Sequence, residues 1–296
     1  MSFKVELARQ VSLIDQALND YLPPAGDYPS VIHEAMRYSV FTGGKRLRSA
    51  LVLASARAVG GEESTVLPAA CAIELLHTYT LVHDDLPAMD NDDLRRGRPT
   101  NHKVYGEGIA ILAGDALLAL SFKLLADLDQ TGPGGARGVL QIVAELAQAA
   151  GTNGLIGGQV VDIQSAGKTI DKTTLEYIHT HKTGALYRVS VRSGAILAGA
   201  NSEQLDKLTV YAENLGLAFQ IVDDILDIEG DEQKLGKPVG SDMDNDKATY
   251  PALYGLTAAK EMARRSAVQA ISALDLFGAE ADFLRELAYF VLQREY

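Results

Sequence analysis

Cysteine is nearly absent from this chain, because Cys71 is the only one among 296 residues. A single thiol excludes a framework of disulfides and is typical of proteins from a reducing compartment. Cys71 lies in the apolar stretch 69–73, which predicts a small buried side chain without redox function.

Long hydrophobic runs and a basic N-terminal leader are also lacking. The first seven residues contain no basic segment followed by an apolar run, so no secretory signal is expected. No uninterrupted apolar run approaches the ~18–20 residues that a membrane span needs. The best candidate, 109–125, contains Asp115 and Lys123. We therefore predict a cytoplasmic protein that has no membrane partner.

Positive charge is in short supply, with 27 Lys and Arg residues against 39 Asp and Glu residues and a formal net charge of −12. Nucleic-acid binding needs a basic face, so this composition argues against a nucleic-acid partner. The same field repels any anionic substrate. A site for such a substrate therefore needs local cations, which side chains or a bound metal would supply.

Helical periodicity dominates the chain, and strand patterns are scarce. Apolar residues make up 47% of the sequence, enough for a large core without disulfides. We predict one all-α domain over 1–296, built as a bundle of antiparallel helices around a central cavity. Apolar positions recur at helical spacing over 4–20, 31–41, 46–59, 66–83, 108–128, 137–150, 172–200, 203–227 and 252–272.

Two aspartate clusters stand out, each at the end of an apolar helical segment. Their six carboxylates are Asp84, Asp85, Asp90, Asp223, Asp224 and Asp227. Spacing of i, i+1 and i+4 puts the second cluster on one side of a helix. In the first, Pro87 disrupts the turn and should let Asp90 approach the preceding pair.

Carboxylates crowded this closely repel one another unless a cation is present. Oxygen ligands select a hard ion, and protein-bound magnesium normally completes its coordination with water and substrate phosphates. Basic residues follow both clusters, including Arg95, Arg96, Lys237 and Lys247. Since arginine and lysine bind phosphate groups, the sequence predicts a site for magnesium and a diphosphate.

Several motifs in order along the chain resemble those of the trans-isoprenyl diphosphate synthase family, in particular its bacterial farnesyl-type members. Each motif is weak alone, but their joint occurrence in order is specific. They are residues 43–48, His77, 84–100, 158–159, 181–185, 219–227, 235–238 and 247–251.

The resemblance implies an all-α isoprenoid synthase fold, a homodimer and three Mg²⁺ ions per active site. It implies a prenyltransferase that joins isopentenyl diphosphate to dimethylallyl and then geranyl diphosphate, giving farnesyl diphosphate. The reaction would run through ionisation, condensation and elimination, with the departing diphosphate accepting the proton. The implied metal ligands are Asp84, Asp85, Asp90 and Asp223, with Asp224 and Asp227 in support.

The same resemblance assigns the remaining site residues. It places the allylic diphosphate against Arg95, Lys182, Lys237 and Lys247. It places isopentenyl diphosphate against Lys45, Arg48, His77 and Arg96. Thr183 and Gln220 match positions whose oxygens face the carbocation.

Product length is expected to depend on the helix that precedes the first cluster. Tyr79 and Thr80 lie four to five residues before Asp84, roughly 6–7.5 Å along the axis at 1.5 Å per residue. The ring of Tyr79 should close the floor of the cavity after three isoprene units. Geranyl or geranylgeranyl diphosphate synthesis remains the alternative.

Three other functions were considered. A di-iron carboxylate bundle would use the paired Glu-x-x-His motifs, but it leaves both aspartate clusters unexplained. A terpene cyclase normally lacks the second aspartate triad, and a regulatory subunit would have lost site residues that are intact here. The side chains that would bind iron in the di-iron alternative are Glu74, His77, Glu176, His179, Glu145 and Glu213.

Overall fold

Helices account for nearly all regular structure in the computed structural model, which describes residues 2–168, 170–229 and 249–293. A short hairpin pairs β1 (Leu94–Arg95) antiparallel with β2 (Arg98–Pro99). The predicted all-α class is confirmed. The α-helices are α1 (Phe3–Tyr21), α2 (Ser30–Val40), α3 (Leu47–Ala58), α4 (Glu63–Asp84), α5 (Asn101–Tyr105), α6 (Glu107–Ala126), α7 (Gly135–Ala150), α8 (Leu155–Ser165), α9 (Lys172–Ile178), α10 (Ala185–Leu197), α11 (Ser202–Glu229), α12 (Tyr250–Tyr254), α13 (Leu256–Ser272) and α14 (Asp282–Leu292).

The structure differs from the predicted helices in two places that matter for the site. The single helix expected over 172–200 is α9, a π-helix (His179–Gly184) and α10 in succession. Helix α8 was not predicted at all, because Gly157 and Gly158 lower the helix propensity of its first turn. Both departures come from tertiary packing, since α8 lies directly against the π-helix.

Two apolar clusters form the interior. The first joins side chains of α1, α2, α4, α6 and α7 with some from α3, α8 and α10, and the second joins other side chains of α3 and α10 with those of α11, α13 and α14. Helix α4 is buried on every side, as expected for a helix that is apolar all round. Cys71 on α4 is fully buried, which confirms the predicted burial of its side chain.

Two helices, α4 and α6, are long and apolar enough to span a membrane by length and composition alone. Of the most apolar stretch of each, 72% is buried within the protein in α4 and 39% in α6. The core position of α4 accounts for its composition. Helix α6 instead leaves Ile111 and Leu112 exposed, at 44% and 55% of their surfaces.

Candidate active site

The first aspartate cluster lies at the C-terminal end of α4, where Pro87 prevents the helix from continuing. The chain turns back, and the Asp90 backbone N–H donates to the Asp84 carbonyl oxygen at 2.9 Å. This return of Asp90 toward the pair confirms the predicted effect of the proline. Asp85 is buried, and Arg95 of the hairpin donates through Nε to its two carboxylate oxygens at 2.7 and 2.9 Å.

Crowding and burial perturb these carboxylates. Burial, together with the neighbouring charges of Asp90 and Asp85, raises the pKa of Asp84 to about 6, although Lys182 and Arg95 act in the opposite direction. Burial also raises the pKa of Asp85 despite its pairing with Arg95. A negative charge on Asp84 is therefore unfavourable in the protein alone.

The second cluster lies within α11, and two neutral donors bind its Asp224. The Asp224 side chain is 3% exposed. Its Oδ1 accepts from Gln220 Nε2 and its Oδ2 from the Tyr250 backbone N–H, both at 2.9 Å. The Thr183 hydroxyl donates to Gln220 Oε1, also at 2.9 Å. A hydrogen-bonded chain thus joins the π-helix, α11 and the start of α12.

The π-helix lies between the clusters and carries Lys182. Lys182 Nζ donates to Asp162 Oδ2 on α8 at 2.6 Å. Although burial acts to lower it, the carboxylates of Asp162, Asp84 and Asp90 raise the pKa of Lys182 above its usual range. Lys182 is therefore within electrostatic reach of the first cluster, while its neighbour Thr183 is bonded toward the second.

Close packing of α8 against the π-helix requires Gly158. A Cβ at this position would collide with the backbone of Lys182, so only glycine allows the two elements to approach. The approach brings Asp162 to the Lys182 ammonium. The sequence analysis did not identify Asp162 as a site residue, because it did not predict α8. The glycines of α8 lower its helix propensity.

His179 fills the inner side of the π-helix. Its ring stacks on Tyr250 with centroids 5.2 Å apart, and its Nε2 lies 3.7 Å from Asp224 Oδ2. Burial lowers the pKa of His179 to about 4, so the ring is neutral at pH 7. It therefore adds packing beside Asp224 without adding a positive charge.

A second group of cations surrounds the loop before α3. Arg48 Nη1 lies 3.1 Å from His77 Nε2. Burial, followed by the positive charges of Arg48 and Arg96, holds the pKa of His77 well below its usual range. The imidazole is neutral and can accept from Arg48.

Arg96 completes this basic group, and its guanidinium donates to the Gly43 carbonyl oxygen. Gly44 has φ of +135°, and a Cβ there would meet the Arg96 guanidinium at 2.7 Å. Partial desolvation and the charges of Arg46 and Arg95 lower the pKa of Arg96, against the pull of Glu74. These mutually repelling cations are suited to an anionic ligand.

Lys45 and Arg46 are adjacent but have different roles. Lys45 Nζ lies 5.5 Å from the ring centroid of Phe290 on α14, a cation–π distance. Arg46 is buried and pairs with Glu74 Oε1 at 3.1 Å and with Asp15 Oδ1 at 2.8 Å. Arg46 therefore holds α3 against α1 and α4, a structural part that the sequence did not reveal.

That ion pair removes the basis of the di-iron reading. Glu74 accepts from Arg46 and, at 2.8 Å, from the Ser49 hydroxyl. Glu145 is likewise bound by Arg192, at 2.7 Å through each oxygen. Two of the nominated glutamates are thus committed to arginines.

The expected floor residues, Tyr79 and Thr80, are buried near the C-terminal end of α4. Tyr79 is 7% exposed, and its ring meets the His83 ring edge-on at 5.3 Å. His83 Nε2 lies 3.0 Å from the Ile111 carbonyl oxygen of α6. Thr80 donates to the His77 carbonyl oxygen at 2.7 Å. Tyr79 is thus held in place where α4 faces α6.

Lys237 and Lys247, expected at the allylic diphosphate, lie outside the described residues. Within those residues no three His, Cys, Asp or Glu side chains form a ready-made metal cage. Magnesium does not require one, since a few carboxylates plus water and phosphate oxygens suffice. The half-buried Asp84 beside Asp90 and Asp85, with its pKa raised to about 6, fits such an ion.

Comparisons with known proteins agree with this arrangement. Residues 29–277 match the family model described as polyprenyl synthetase. The chain is 51% identical to farnesyl diphosphate synthase of Geobacillus stearothermophilus over 262 residues, which covers 88% of this chain and 87% of that protein. It is 45% identical to geranylgeranyl diphosphate synthase of Cyanophora paradoxa over 290 residues, with coverage of 97% and 95%. The solved structure of geranylgeranyl pyrophosphate synthetase from Pyrococcus horikoshii matches with a TM-score of 0.90 and 32% identity, covering 99% of this chain and 98% of that one.

Proposed function

The chain belongs to the polyprenyl synthetase family and is a trans-prenyltransferase, and we propose that it makes farnesyl diphosphate. In this proposal it joins isopentenyl diphosphate first to dimethylallyl diphosphate and then to geranyl diphosphate. The observation that carries the proposal is that an acidic group and a basic group adjoin through two consecutive arginines of the hairpin. Arg95 donates to Asp85 of the first aspartate cluster, and the next residue, Arg96, reaches the Gly43 carbonyl oxygen in the basic group.

The acidic group would hold the allylic diphosphate through magnesium. Asp84, Asp85, Asp90 and Asp223 would bind the ions, and Asp224 and Asp227 would support that arrangement. Bound magnesium would supply positive charge that stabilises the leaving diphosphate. Three ions per site, as the resemblance implies, are part of the proposal.

Lys182 and Arg95 are proposed to contact the same diphosphate directly. Lys182 is bonded to Asp162 at 2.6 Å, which fixes its ammonium near the first cluster. Arg95 is bonded to Asp85, and its planar guanidinium is suited to phosphate oxygens. Lys237 and Lys247 are proposed as further contacts.

Isopentenyl diphosphate would bind to the basic group, Lys45, Arg48, His77 and Arg96. Neutral His77 can donate to an anion only through the ring nitrogen that Arg48 leaves unused. The arginines supply the charge that offsets repulsion between two diphosphates.

In the reaction the allylic C1–O bond breaks and its electron pair leaves with the diphosphate. The isopentenyl double bond then attacks C1 to form the new carbon–carbon bond, and a proton is lost to the departed diphosphate. Thr183 and Gln220 are proposed to face the intermediate cation with their oxygens. Preorganised dipoles in a water-poor site stabilise developing charge without reorganisation.

The farnesyl length rests on Tyr79, since the relatives include synthases of both farnesyl and geranylgeranyl diphosphate. Geranylgeranyl or geranyl diphosphate is the alternative product. The test is incubation with labelled isopentenyl and dimethylallyl diphosphates, with and without EDTA, followed by product sizing. Metal-dependent fifteen-carbon product is expected, and absence of any condensation would overturn the enzyme assignment.

Tyr79→Ala should lengthen the product, because the buried ring that closes the cavity is removed. Tyr289→Ala is the matched control, since Tyr289 on α14 is 53% exposed. The variant is expected to give products of twenty carbons or more, and the control only fifteen. A Tyr79→Ala enzyme that still stops at fifteen carbons would show that another residue forms the floor.

We also propose a homodimer that covers the exposed apolar side of α6. Ile111 and Leu112 are more than two-fifths exposed there, and burial of such a surface favours association. Sedimentation equilibrium of the wild type should give twice the chain mass, and Leu112→Lys should shift it toward the monomer. A wild-type monomer at micromolar concentration would contradict the proposal.

The cytoplasmic location stays a prediction from composition.

A further inference from the structure

Gln159 on α8 is a buried amide without a hydrogen-bond partner. Its side chain is 6% exposed, and neither Oε1 nor Nε2 has a partner in the part of the chain that the structure describes. Burying an unpaired amide is unfavourable relative to burying a paired one. An unpaired buried group in a native protein therefore calls for an explanation, and a role in catalysis is one.

The position of Gln159 along α8 places it at a boundary. Three residues later on the same side of the helix, Asp162 accepts from Lys182 beside the proposed diphosphate. Four residues earlier on that side, Leu155 belongs to the first apolar cluster. The amide therefore lies about one helical turn from the charged end of the site, where the apolar wall begins.

Gln220, the other glutamine at the site, differs from Gln159 in its hydrogen bonds. Both atoms of the Gln220 amide are bonded, to Thr183 and to Asp224. Gln220 is thus held as part of the protein's own network. Gln159 has the same group, is more deeply buried than the half-buried Gln220, and has no described partner for either amide atom.

We propose that Gln159 is a catalytic residue whose carbonyl oxygen faces C1 of the allylic group as the C1–O bond breaks. No bond to Gln159 forms, because the electron pair leaves with the diphosphate and the isopentenyl double bond later fills the empty orbital. The oxygen dipole stabilises the positive charge in between. A neutral amide suits this position, since a carboxylate would repel the diphosphate. The inference rests on the proposed function.

The test is Gln159→Met, which keeps the length of the side chain and removes the dipole. The matched control is Gln164→Met, because Gln164 lies on the exposed side of the same helix. Three quantities are measured: single-turnover condensation with dimethylallyl diphosphate, the Kd for its unreactive S-thiolo analogue, and the melting temperature.

For Gln159→Met we expect a rate at least roughly 10-fold lower and a Kd for the analogue within about 3-fold of wild type. We expect a melting temperature equal to wild type or a few degrees higher, because an unpaired buried amide is removed. Gln164→Met should match wild type in all three quantities.

A lower melting temperature would show that the amide is needed for structure, and an unchanged rate would show that it does not face the cation. Equal losses in rate and in analogue binding would make it an ordinary binding contact. Each result overturns the inference while wild-type condensation stands. Failure of wild-type condensation removes the proposed function itself, and it is recognised before any variant is compared.

Discussion

The two aspartate clusters carry the same residue type but are held in different ways. Asp84 and Asp85 lie at a helix end among cations, with Arg95 bonded to one of them and Lys182 within electrostatic reach of the other. Asp224 lies inside a continuous helix and is bonded to a side-chain amide and a backbone N–H. Among the described contacts, the first cluster is thus bound by charged side chains, and Asp224 of the second is bound by neutral donors.

This difference implies different states before a ligand arrives. Side-chain cations can be exchanged for a metal ion or shared with a phosphate, so the first cluster is prepared to change partners. The neutral donors of the second cluster also fix the start of α12, so loss of those bonds would disturb the fold. We infer that both clusters serve activity while only the second serves stability.

The largest expected effect is on activity at the first cluster. Asp84→Asn removes one negative charge with little change in shape, and we expect kcat/KM to fall roughly 10³-fold because the leaving group loses electrostatic stabilisation. The measurement is steady-state condensation at saturating magnesium, with far-ultraviolet circular dichroism to confirm that helical content is unchanged.

The control for this variant is Asp93→Asn in the same loop. Asp93 is exposed and pairs with Lys103 at the surface at 2.7 Å, so its variant should stay within about twofold of wild type. Equal losses in the two variants would mean that the net charge of the loop matters and that Asp84 has no specific role.

The next largest effect is on stability at the second cluster. Asp224→Asn leaves one acceptor oxygen where two donors arrive, so either Gln220 Nε2 or the Tyr250 N–H loses its partner. We expect the free energy of unfolding to fall by about 2 kcal/mol, measured by urea denaturation in EDTA. Asp206→Asn, at an exposed position of the same helix, should change it by less than about 0.5 kcal/mol. An unchanged midpoint for Asp224→Asn would remove the contrast between the clusters.

Local rules were enough to find both clusters from the sequence. The spacing of Asp223, Asp224 and Asp227 needs only helical geometry, and Pro87 predicts the end of α4 and the return of Asp90. The start of α9 follows a local rule too, because the Asp171 side chain caps the helix by accepting from the Thr174 N–H at 2.8 Å. These features depend on residues that are neighbours in the chain.

The parts that sequence reasoning missed depend on contacts between distant segments. The residue types of the π-helix are equally compatible with an α-helix, so the sequence does not distinguish the two. Packing against α8 sets the wider turn. Asp162 meets Lys182 only because Gly158 lets those elements approach. Likewise, the chemistry of Asp224 was assigned without the Tyr250 N–H, and no local pattern shows that Gln159 lacks a partner.

The smallest expected effect follows from the raised pKa of Asp84. It is an increase in the free energy of unfolding, opposite in sign to the decrease expected for Asp224→Asn. The pKa rises from 3.8 to about 6 on folding, so the folded protein binds this proton more tightly than the unfolded chain. The stability that it contributes is therefore fully present below pH 3.8 and lost as pH rises through about 6. Asparagine has no such charge, so without metal Asp84→Asn should raise the free energy of unfolding at pH 7 by about 1–2 kcal/mol after allowance for solvent. At pH 4 the gain should vanish.

Urea titrations at both pH values in EDTA, with Asp93→Asn as the unresponsive control, measure the difference. A gain that is the same at both pH values would assign it to packing, and a loss at pH 7 would place Asp84 in the same class as Asp224.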